Sequence, residues 1–248
     1  MTVAEKLQTI AENEQKVYEA GYDNGVKTEY DAFWDGYQQN GDRTDCRGMF
    51  AGVGWNADTI KPKYDINVFS GTYMFYGSGF VGSLKKHLAD DLGVILDFSS
   101  ATAFTGVFQY ANQITETPHL DMSGISSQTT VSQIFHSCNN LVSAEITFSP
   151  LCAYNTCFNN CNNLENLIAN GEIGGNGLNF QWSTKLTHDS LVSIVNALST
   201  ITSGLTVTLS KTAVNKAFET SGGAADGSTS EAWLTLRATR SNWTISLV

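Results

Sequence analysis

A short motif recurs along the chain and constrains its fold more than any other feature. It reads Phe-x-x-small-x-x-aliphatic, where x is any residue. Its phenylalanines stand 25, 33, 27 and 23 residues apart. A period in this range is typical of stacked, repeated coils. The copies are Phe50-x-x-Val53 (an incomplete start), Phe75-x-x-Ser78-x-x-Val81, Phe108-x-x-Ala111-x-x-Ile114, Phe135-x-x-Cys138-x-x-Leu141 and Phe158-x-x-Cys161-x-x-Leu164.

A second motif, in which an aliphatic residue precedes a polar and then an apolar one, accompanies each copy. Such alternation predicts a short, half-buried strand. Strands of successive coils would lie side by side in one parallel sheet, with the phenylalanines filling the space behind it. The expected core residues are Phe50, Phe75, Phe108, Phe135, Cys138, Leu141, Phe158, Cys161 and Leu164. The strand motifs are Tyr64-Asp65-Ile66-Asn67, Leu96-Asp97-Phe98-Ser99, Leu120-Asp121-Met122-Ser123, Ile146-Thr147-Phe148-Ser149, Val207-Thr208-Leu209-Ser210 and Ile245-Ser246-Leu247.

The stretch 108–141 resembles the bacterial surface protein 26-residue repeat, and it is similar to the BspA-like leucine-rich repeats. Rungs of the second group read Ala-Phe-x-x-Cys-x-x-Leu and then Ile-x-Ile-Pro. The positions on this pattern are Phe135, Cys138, Leu141, Ile146, Phe148 and Pro150. The resemblance covers roughly residues 49–170, with an insertion between Phe75 and Phe108, and the motif is lost after residue 170. It implies an α/β repeat fold, a leucine-rich-repeat-like solenoid with a parallel sheet of short strands.

The same resemblance implies a surface-exposed binding role, because these repeats occur on bacterial surface proteins and in phage and prophage reading frames. Phage fibre and baseplate proteins commonly resemble the layout expected here, in which attachment is N-terminal and recognition lies further along. The first expectation is therefore a non-enzymatic virion protein of a phage or prophage: a tail-fibre, baseplate or receptor-binding component. The alternative is a bacterial cell-surface adhesin of the BspA-like type.

The chain divides into three predicted parts. Residues 1–28 form a helix with apolar residues at four-three spacing, which either packs on the end of the stack or drives oligomerisation or docking. Residues 29–184 form the solenoid with an N-terminal cap. Residues 185–248 form a C-terminal α/β capping module, with helices over 187–197, 211–219 and 231–239, strands over 205–209 and 243–248, and Thr187 as an N-cap.

Charge and hydropathy exclude several function classes. The chain of 248 residues has a net charge of −10, and only 15% of its residues are charged. An acidic chain without a basic stripe is unsuited to nucleic acid. No apolar run has the length of a membrane span, and the start lacks the apolar core of a signal peptide. We therefore expect synthesis in the host cytoplasm and location in the virion, with the bacterial surface as the alternative.

No pattern of catalytic or metal-binding residues is evident. The five cysteines lack paired Cys-x-x-Cys spacing, and Cys138 and Cys161 occupy the small buried position of the repeat. The four histidines lie in no catalytic signature. Asp97 and Asp121 could in principle form a glycosidase pair, but their repetition at one strand position favours a structural or recognition role. We expect neither enzymatic activity, nor a cofactor, nor a metal.

The predicted binding residues fall into two groups. Polar strand positions would line one face, and exposed aromatic residues could stack on sugars, unless they are core residues. Expected partners are other virion proteins, contacted through the N-terminal helix, a bacterial surface protein or glycan, and further copies of the chain, with a trimer favoured. The two groups are Asp65, Asp97, Asp121 and Thr147 on the strands, and Tyr73, Tyr76, Tyr110 and Trp182 among the aromatic residues.

Overall fold

The computed structural model describes residues 44–62, 65–127, 129–219 and 227–248. The predicted N-terminal helix, residues 1–28, and the first part of the predicted solenoid with its N-terminal cap, residues 29–43, lie outside these residues. The described chain is mixed α/β, and its strands are short. They are β1 (Thr44–Asp45), β2 (Ile66–Ser70), β3 (Gly82–Ser83), β4 (Leu96–Asp97), β5 (Ile114–Glu116), β6 (Leu120–Asp121), β7 (Thr129–Ser132), β8 (Ser143–Phe148), β9 (Cys152–Asn155), β10 (Asn166–Gly171), β11 (Asn179–Phe180), β12 (Leu205–Leu209) and β13 (Trp243–Leu247).

Every strand pair within the described residues is parallel. The strand orders are β1-β2-β4, β3-β5-β8-β10 with β6 also paired to β8, β7-β9, and β11-β12-β13. The described strands are thus divided among four sheets, whereas the sequence pattern predicts a single parallel sheet. A coil such as the one from Phe135 to Phe158 contributes two separate strands, β8 and β9, because the chain bends at Pro150 between them.

The helices begin at hydroxyl N-caps. Ser83, Thr187, Ser210 and Ser230 each accept a hydrogen bond from the backbone three residues later. The predicted cap at Thr187 is confirmed. The helices are α1 (Leu84–Lys86), continued by a π-helical turn (His87–Asp91), α2 (His188–Ala197), α3 (Lys211–Ala217), a 3₁₀ turn (Gly227–Thr229) and α4 (Glu231–Ala238). The first of these lies inside the longest interval between phenylalanines, which explains the length of that interval.

The phenylalanine rings form one buried column. Consecutive ring centroids lie 5.0 Å apart from Phe50 to Phe75 and from Phe75 to Phe108. The next steps are 5.6 Å to Phe135 and 5.4 Å to Phe158. Phe180, which the motif does not predict, extends the column at 4.4 Å from Phe158. Each such contact contributes about 0.5–1.5 kcal/mol beyond the area it buries.

A backbone ladder holds successive phenylalanines in a constant register. The N–H of Phe50 donates at 2.7 Å to the carbonyl of Met74, the residue before the next phenylalanine. In the same way, the N–H groups of Phe75 and Phe108 donate to the carbonyls of Val107 and Ile134, and that of Phe135 donates to the carbonyl of Cys157 at 2.9 Å. The same two main-chain atoms meet in each coil, so the rings are forced to stack one above another.

The turns around each phenylalanine share an unusual backbone conformation. The residues two positions before and two positions after the first five phenylalanines of the column all have positive φ, between 53° and 105°. Glycine tolerates this left-handed region, whereas other residues are strained there by about 1–2 kcal/mol. The ten residues are Gly48, Gly52, Tyr73, Gly77, Gly106, Tyr110, Gln133, Ser137, Thr156 and Asn160.

The small residue three positions after the phenylalanine is buried for a clear reason. The Cys138 thiol donates to the carbonyl of Phe108 at 2.8 Å, and the Cys161 thiol donates to that of Phe135 at 3.1 Å. Only a short side chain fits between two coils at this place. Two residues depart from the predicted motif: Val53 is 86% exposed and Val81 is 65% exposed. Neither supplies the buried contact expected of it, because the chain departs from the path of the later coils after the turns at Phe50 and Phe75.

Helix α2 covers the β10 edge of the sheet that contains β3, β5, β8 and β10. The Ser190 hydroxyl accepts a hydrogen bond from the Leu167 N–H at 2.9 Å and donates to the Glu165 carbonyl at 2.8 Å. Ser193 contacts the N–H and carbonyl of Ala169 in the same way. These hydroxyls satisfy the backbone of the edge strand β10, which would otherwise be open to pairing with another chain. The hydrophobic core continues from Cys46 to Ile245 as one cluster.

Removing one ring from the middle of the column should be strongly destabilising. We expect Phe135→Ala to lower the free energy of unfolding by about 3–5 kcal/mol, because Phe135 is fully buried between Phe108 and Phe158. Phe69→Ala is the matched control, since Phe69 is 42% exposed and should cost about 1 kcal/mol. Urea unfolding measures both. Equal losses in the two variants would contradict the column.

Relieving the strain at Thr156 should stabilise the protein. Thr156 is an exposed, β-branched residue with φ of 53°. We expect Thr156→Gly to raise the free energy of unfolding by roughly 1 kcal/mol. The control is Thr206→Gly, at an exposed position in the extended strand β12, where glycine should lower it by about 0.5–1 kcal/mol. Urea unfolding of both variants tests the sign, and destabilisation by Thr156→Gly would contradict the proposed strain.

Candidate functional site

The polar strand positions align across paired strands in two separate sheets. Asn67 is the partner of Asp97, and Asp121 is the partner of Thr147, which in turn pairs with Asn170. The alignment of Asp65 with Asp97 was therefore wrong by two residues, because Ile66 pairs with Leu96. A shift of two keeps the same side-chain alternation, so the sequence pattern alone does not distinguish the two registers.

The predicted acidic residues meet at a gap in the sheets. Strands β4 and β6 are not paired with each other in the described part of the chain, and a cavity of about 390 Å³ opens between them. Asp65, Asp97 and Asp121 line this cavity. Its wall also contains His119, whose Nε2 lies 2.9 Å from the Thr147 hydroxyl. The structure thus brings all four predicted strand residues to one region.

The carboxylates of this cavity already make local hydrogen bonds. Asp97 Oδ1 accepts from the N–H of Ser99 at 2.8 Å, and Asp121 Oδ1 accepts from that of Ser123 at the same distance. This repeated Asx-turn stabilises the bend that follows each strand. Asp65 Oδ1 accepts from the N–H of Ile95 at 2.8 Å. A structural role therefore accounts for the acidic repeat.

The one lysine in the wall of the cavity is already engaged by a carboxylate. Lys85 Nζ lies 3.4 Å from Glu116 Oε1, and the other oxygen of Glu116 accepts from the Ser83 hydroxyl at 2.7 Å. The charge balance of the cavity is therefore negative, with three aspartates against one paired lysine. Such a wall disfavours anions.

The predicted tyrosines form a second group, away from the strands and on the outside of the phenylalanine turns. Ring centroids lie 5.6 Å apart from Tyr73 to Tyr76 and 5.5 Å apart from Tyr76 to Tyr110. His136 continues the series at 5.5 Å from Tyr110. All three contacts are edge-to-face, with interplanar angles of 79–88°. We call these four residues the aromatic row.

The tyrosines of the row face solvent. They are 39–42% exposed, whereas the phenylalanines of the column are fully buried. The row and the column alternate because residues next to each buried phenylalanine point outward. His136 was missed as a site residue, although its place directly after Phe135 equals that of Tyr76 after Phe75.

Trp182 does not join the row through any described ring contact, although it is 46% exposed. It stands two residues after Phe180, the place that Tyr110 has after Phe108. Ser137 and Asn160 occupy the same place in the two intervening coils, and the Asn160 amide donates to the Ser137 hydroxyl at 3.2 Å. A polar stretch therefore lies between the aromatic row and Trp182.

The cysteines are buried and hydrogen-bonded. Burial raises the pKa of Cys46 and of Cys157 to about 12, and that of Cys138 well above its usual value. The described residues contain no cluster of three or more side chains suited to hold a metal. Thiols that stay protonated at neutral pH neither bind metals readily nor act as nucleophiles.

Comparison with protein-family models, curated proteins and solved structures gives no match for this chain. Within the described residues, no helix combines the length and the apolar character needed to cross a membrane.

The buried thiols should make stability fall in alkaline solution. A folded pKa of about 12 for Cys157 exceeds the ordinary value of a free thiol, so the unfolded chain loses this proton first as the pH rises. The stabilisation from the protonated thiol is complete below about pH 8.5 and decreases steadily as the pH rises to about 12. Urea unfolding with reductant at several pH values measures this slope.

Cys157→Ala should make the free energy of unfolding fall less steeply with rising pH, because one buried thiol has been removed. Met74→Ala is the control, because Met74 is equally buried but does not titrate. It should lower stability without changing the slope. Identical slopes in the parent chain and in Cys157→Ala would contradict the raised pKa.

Proposed function

We propose that this protein is a non-enzymatic recognition protein with a leucine-rich-repeat-like solenoid, and that it serves as a tail-fibre, baseplate or receptor-binding component of a phage or prophage virion. The aromatic row carries the recognition part of the proposal. Three half-exposed tyrosines, of which Tyr76 contacts the other two, form a preorganised surface, since their rings are held by these contacts and by the ladder beneath them.

A binding role agrees with the other features of the coils better than catalysis does. The repeated aspartates Asp97 and Asp121 have a structural explanation in their Asx-turns. The Cys138 and Cys161 thiols donate hydrogen bonds to carbonyls of neighbouring coils and are therefore not available for chemistry. The turns, in contrast, present side chains on a regular backbone, which is the arrangement that repeat proteins use for binding.

The virion assignment rests on the resemblance to repeats found in phage and prophage reading frames, and on the predicted N-terminal docking helix. The BspA-like adhesin is the second candidate, supported by the same repeats on bacterial surfaces. Under either proposal the partner is a protein or a glycan on a bacterial surface. Under the first, the chain also contacts other virion proteins through residues 1–28 and forms an oligomer, for which we favour a trimer.

Binding to whole bacteria tests the recognition role. We expect the fluorescently labelled full chain to bind a subset of bacterial strains, and Tyr76→Ala to lose at least ten-fold in affinity, because Tyr76 contacts both other tyrosines of the row. Val53→Ala, which changes an exposed side chain outside the row, is the control. Absence of binding to every strain, with the fold intact, would contradict the proposal.

Light scattering separates the two candidates. A stable trimer that becomes a monomer when residues 1–28 are deleted supports the virion component. A monomeric full chain contradicts it and favours the adhesin.

A further inference from the structure

The coils that carry the aromatic row contain almost no charge. Segments 66–84, 98–115, 122–144 and 146–164 have no Asp, Glu, Lys or Arg, although the chain as a whole has 38 such residues, 14 basic and 24 acidic. Each segment includes one phenylalanine turn. The charged residues between them belong to strands or to the α1 region, as Asp97, Asp121 and Glu145 illustrate. The outer surface of the turns is therefore neutral in an otherwise acidic protein.

Uncharged hydrogen-bonding groups surround the rings instead. His136 Nδ1 lies 3.2 Å from the Ser137 hydroxyl, which accepts from the Asn160 amide at 3.2 Å. Asn112 and Gln113, which follow Tyr110, are exposed. Amides and hydroxyls can both donate and accept, so they match a ligand that is rich in hydroxyl groups.

Two tyrosines of the row are retained at strained positions. Tyr73 and Tyr110 have φ of 55° and 62°, in places that other coils fill with glycine or with smaller polar residues such as Ser137 and Asn160. Strain of this kind in a bulky residue is an outlier, and such outliers cluster at functional sites. Glycine would suit the local backbone better at both positions. The rings themselves, and not the turn, therefore explain why tyrosine is present.

We propose that the aromatic row binds a neutral glycan, with sugar rings packed on the exposed tyrosines and sugar hydroxyls bonded to the neighbouring amides and hydroxyls. This deepens the proposed function and rests on it. An anionic polymer would need Lys or Arg beside the rings, and the segments have none. A hydrophobic protein partner would need aliphatic side chains beside the rings, whereas Asn112 and Gln113 follow Tyr110 and Ser137 follows His136. A sugar ring fits both parts of this surface, because its apolar C–H faces pack on the tyrosine rings and its hydroxyl groups bond to the neighbouring amides and hydroxyls.

The strained position supplies a variant that separates binding from folding. Tyr110→Gly removes one of the two inner rings of the row. The relief of backbone strain offsets the loss of two ring contacts, so the unfolding midpoint should change little. Thr156→Gly is the matched control, because it makes the same backbone change at a strained position two coils away, outside the row. We expect Tyr110→Gly to weaken binding at least ten-fold and Thr156→Gly to leave binding unchanged.

Affinity electrophoresis of the full chain in gels containing dextran, laminarin, mannan or galactomannan, with alginate as the anionic comparison, provides the direct measurement. Retardation by at least one neutral polysaccharide, lost in Tyr110→Gly and kept in Thr156→Gly, is the expected result. Retardation by none of them, by alginate alone, or equally in both variants would overturn the proposal.

Treated cells distinguish failure of this inference from failure of the proposed function. Periodate oxidation of the bacteria should abolish binding of the full chain, and proteinase K should not. Binding that survives periodate and is lost with proteinase K would refute the glycan while the recognition role stands. If the untreated bacteria bind nothing, the recognition role fails as well.

Discussion

Each of the first four phenylalanines of the column donates a hydrogen bond from its N–H to the coil that follows, and the rest of the described structure depends on this interaction. It joins main-chain atoms only, and its acceptor is the residue before the next phenylalanine, as in Phe75 with Val107. Because the register is constant, rings stack on rings and the residue three places later faces the carbonyl of the previous coil. The packing of Cys138 against Phe108 follows directly from that register.

The turns that carry this ladder require a left-handed backbone conformation two residues before and two residues after each of the first five phenylalanines. Glycine meets that requirement in the first coils, while Gln133, Ser137, Thr156 and Asn160 meet it later at some strain. The structure tolerates the strain because neighbouring coils bond to the turn on both faces, so no single turn can relax alone. Tyr73 and Tyr110 show that the same tolerance allows a large ring to be displayed where the backbone would prefer glycine.

Much of the described fold was predictable, and the failures have physical causes. The phenylalanine spacing predicted neighbours that stack, and Thr187 with its following apolar face predicted helix α2. The predicted burial of Val53 and Val81 was wrong because a motif describes residue type only, and not the path of the backbone. The predicted alignment of Asp65 with Asp97 was wrong because a register shift of two residues preserves the alternation of side chains. His136 escaped notice since an isolated histidine carries no pattern until its neighbours are placed beside it.

The candidate site follows from a division of labour within each coil. Stability comes from the main-chain ladder, the buried rings and the hydroxyls that close strand β10, none of which involves the outward side chains of the turns. Those side chains can therefore change without altering the stack, as Tyr110, Ser137 and Asn160 show at one equivalent position. In such a fold, the residues that stabilise the stack are different from the residues that are exposed for binding. A neutral, ring-bearing surface on an acidic protein is then a property of the turns, since nothing in the ladder requires it.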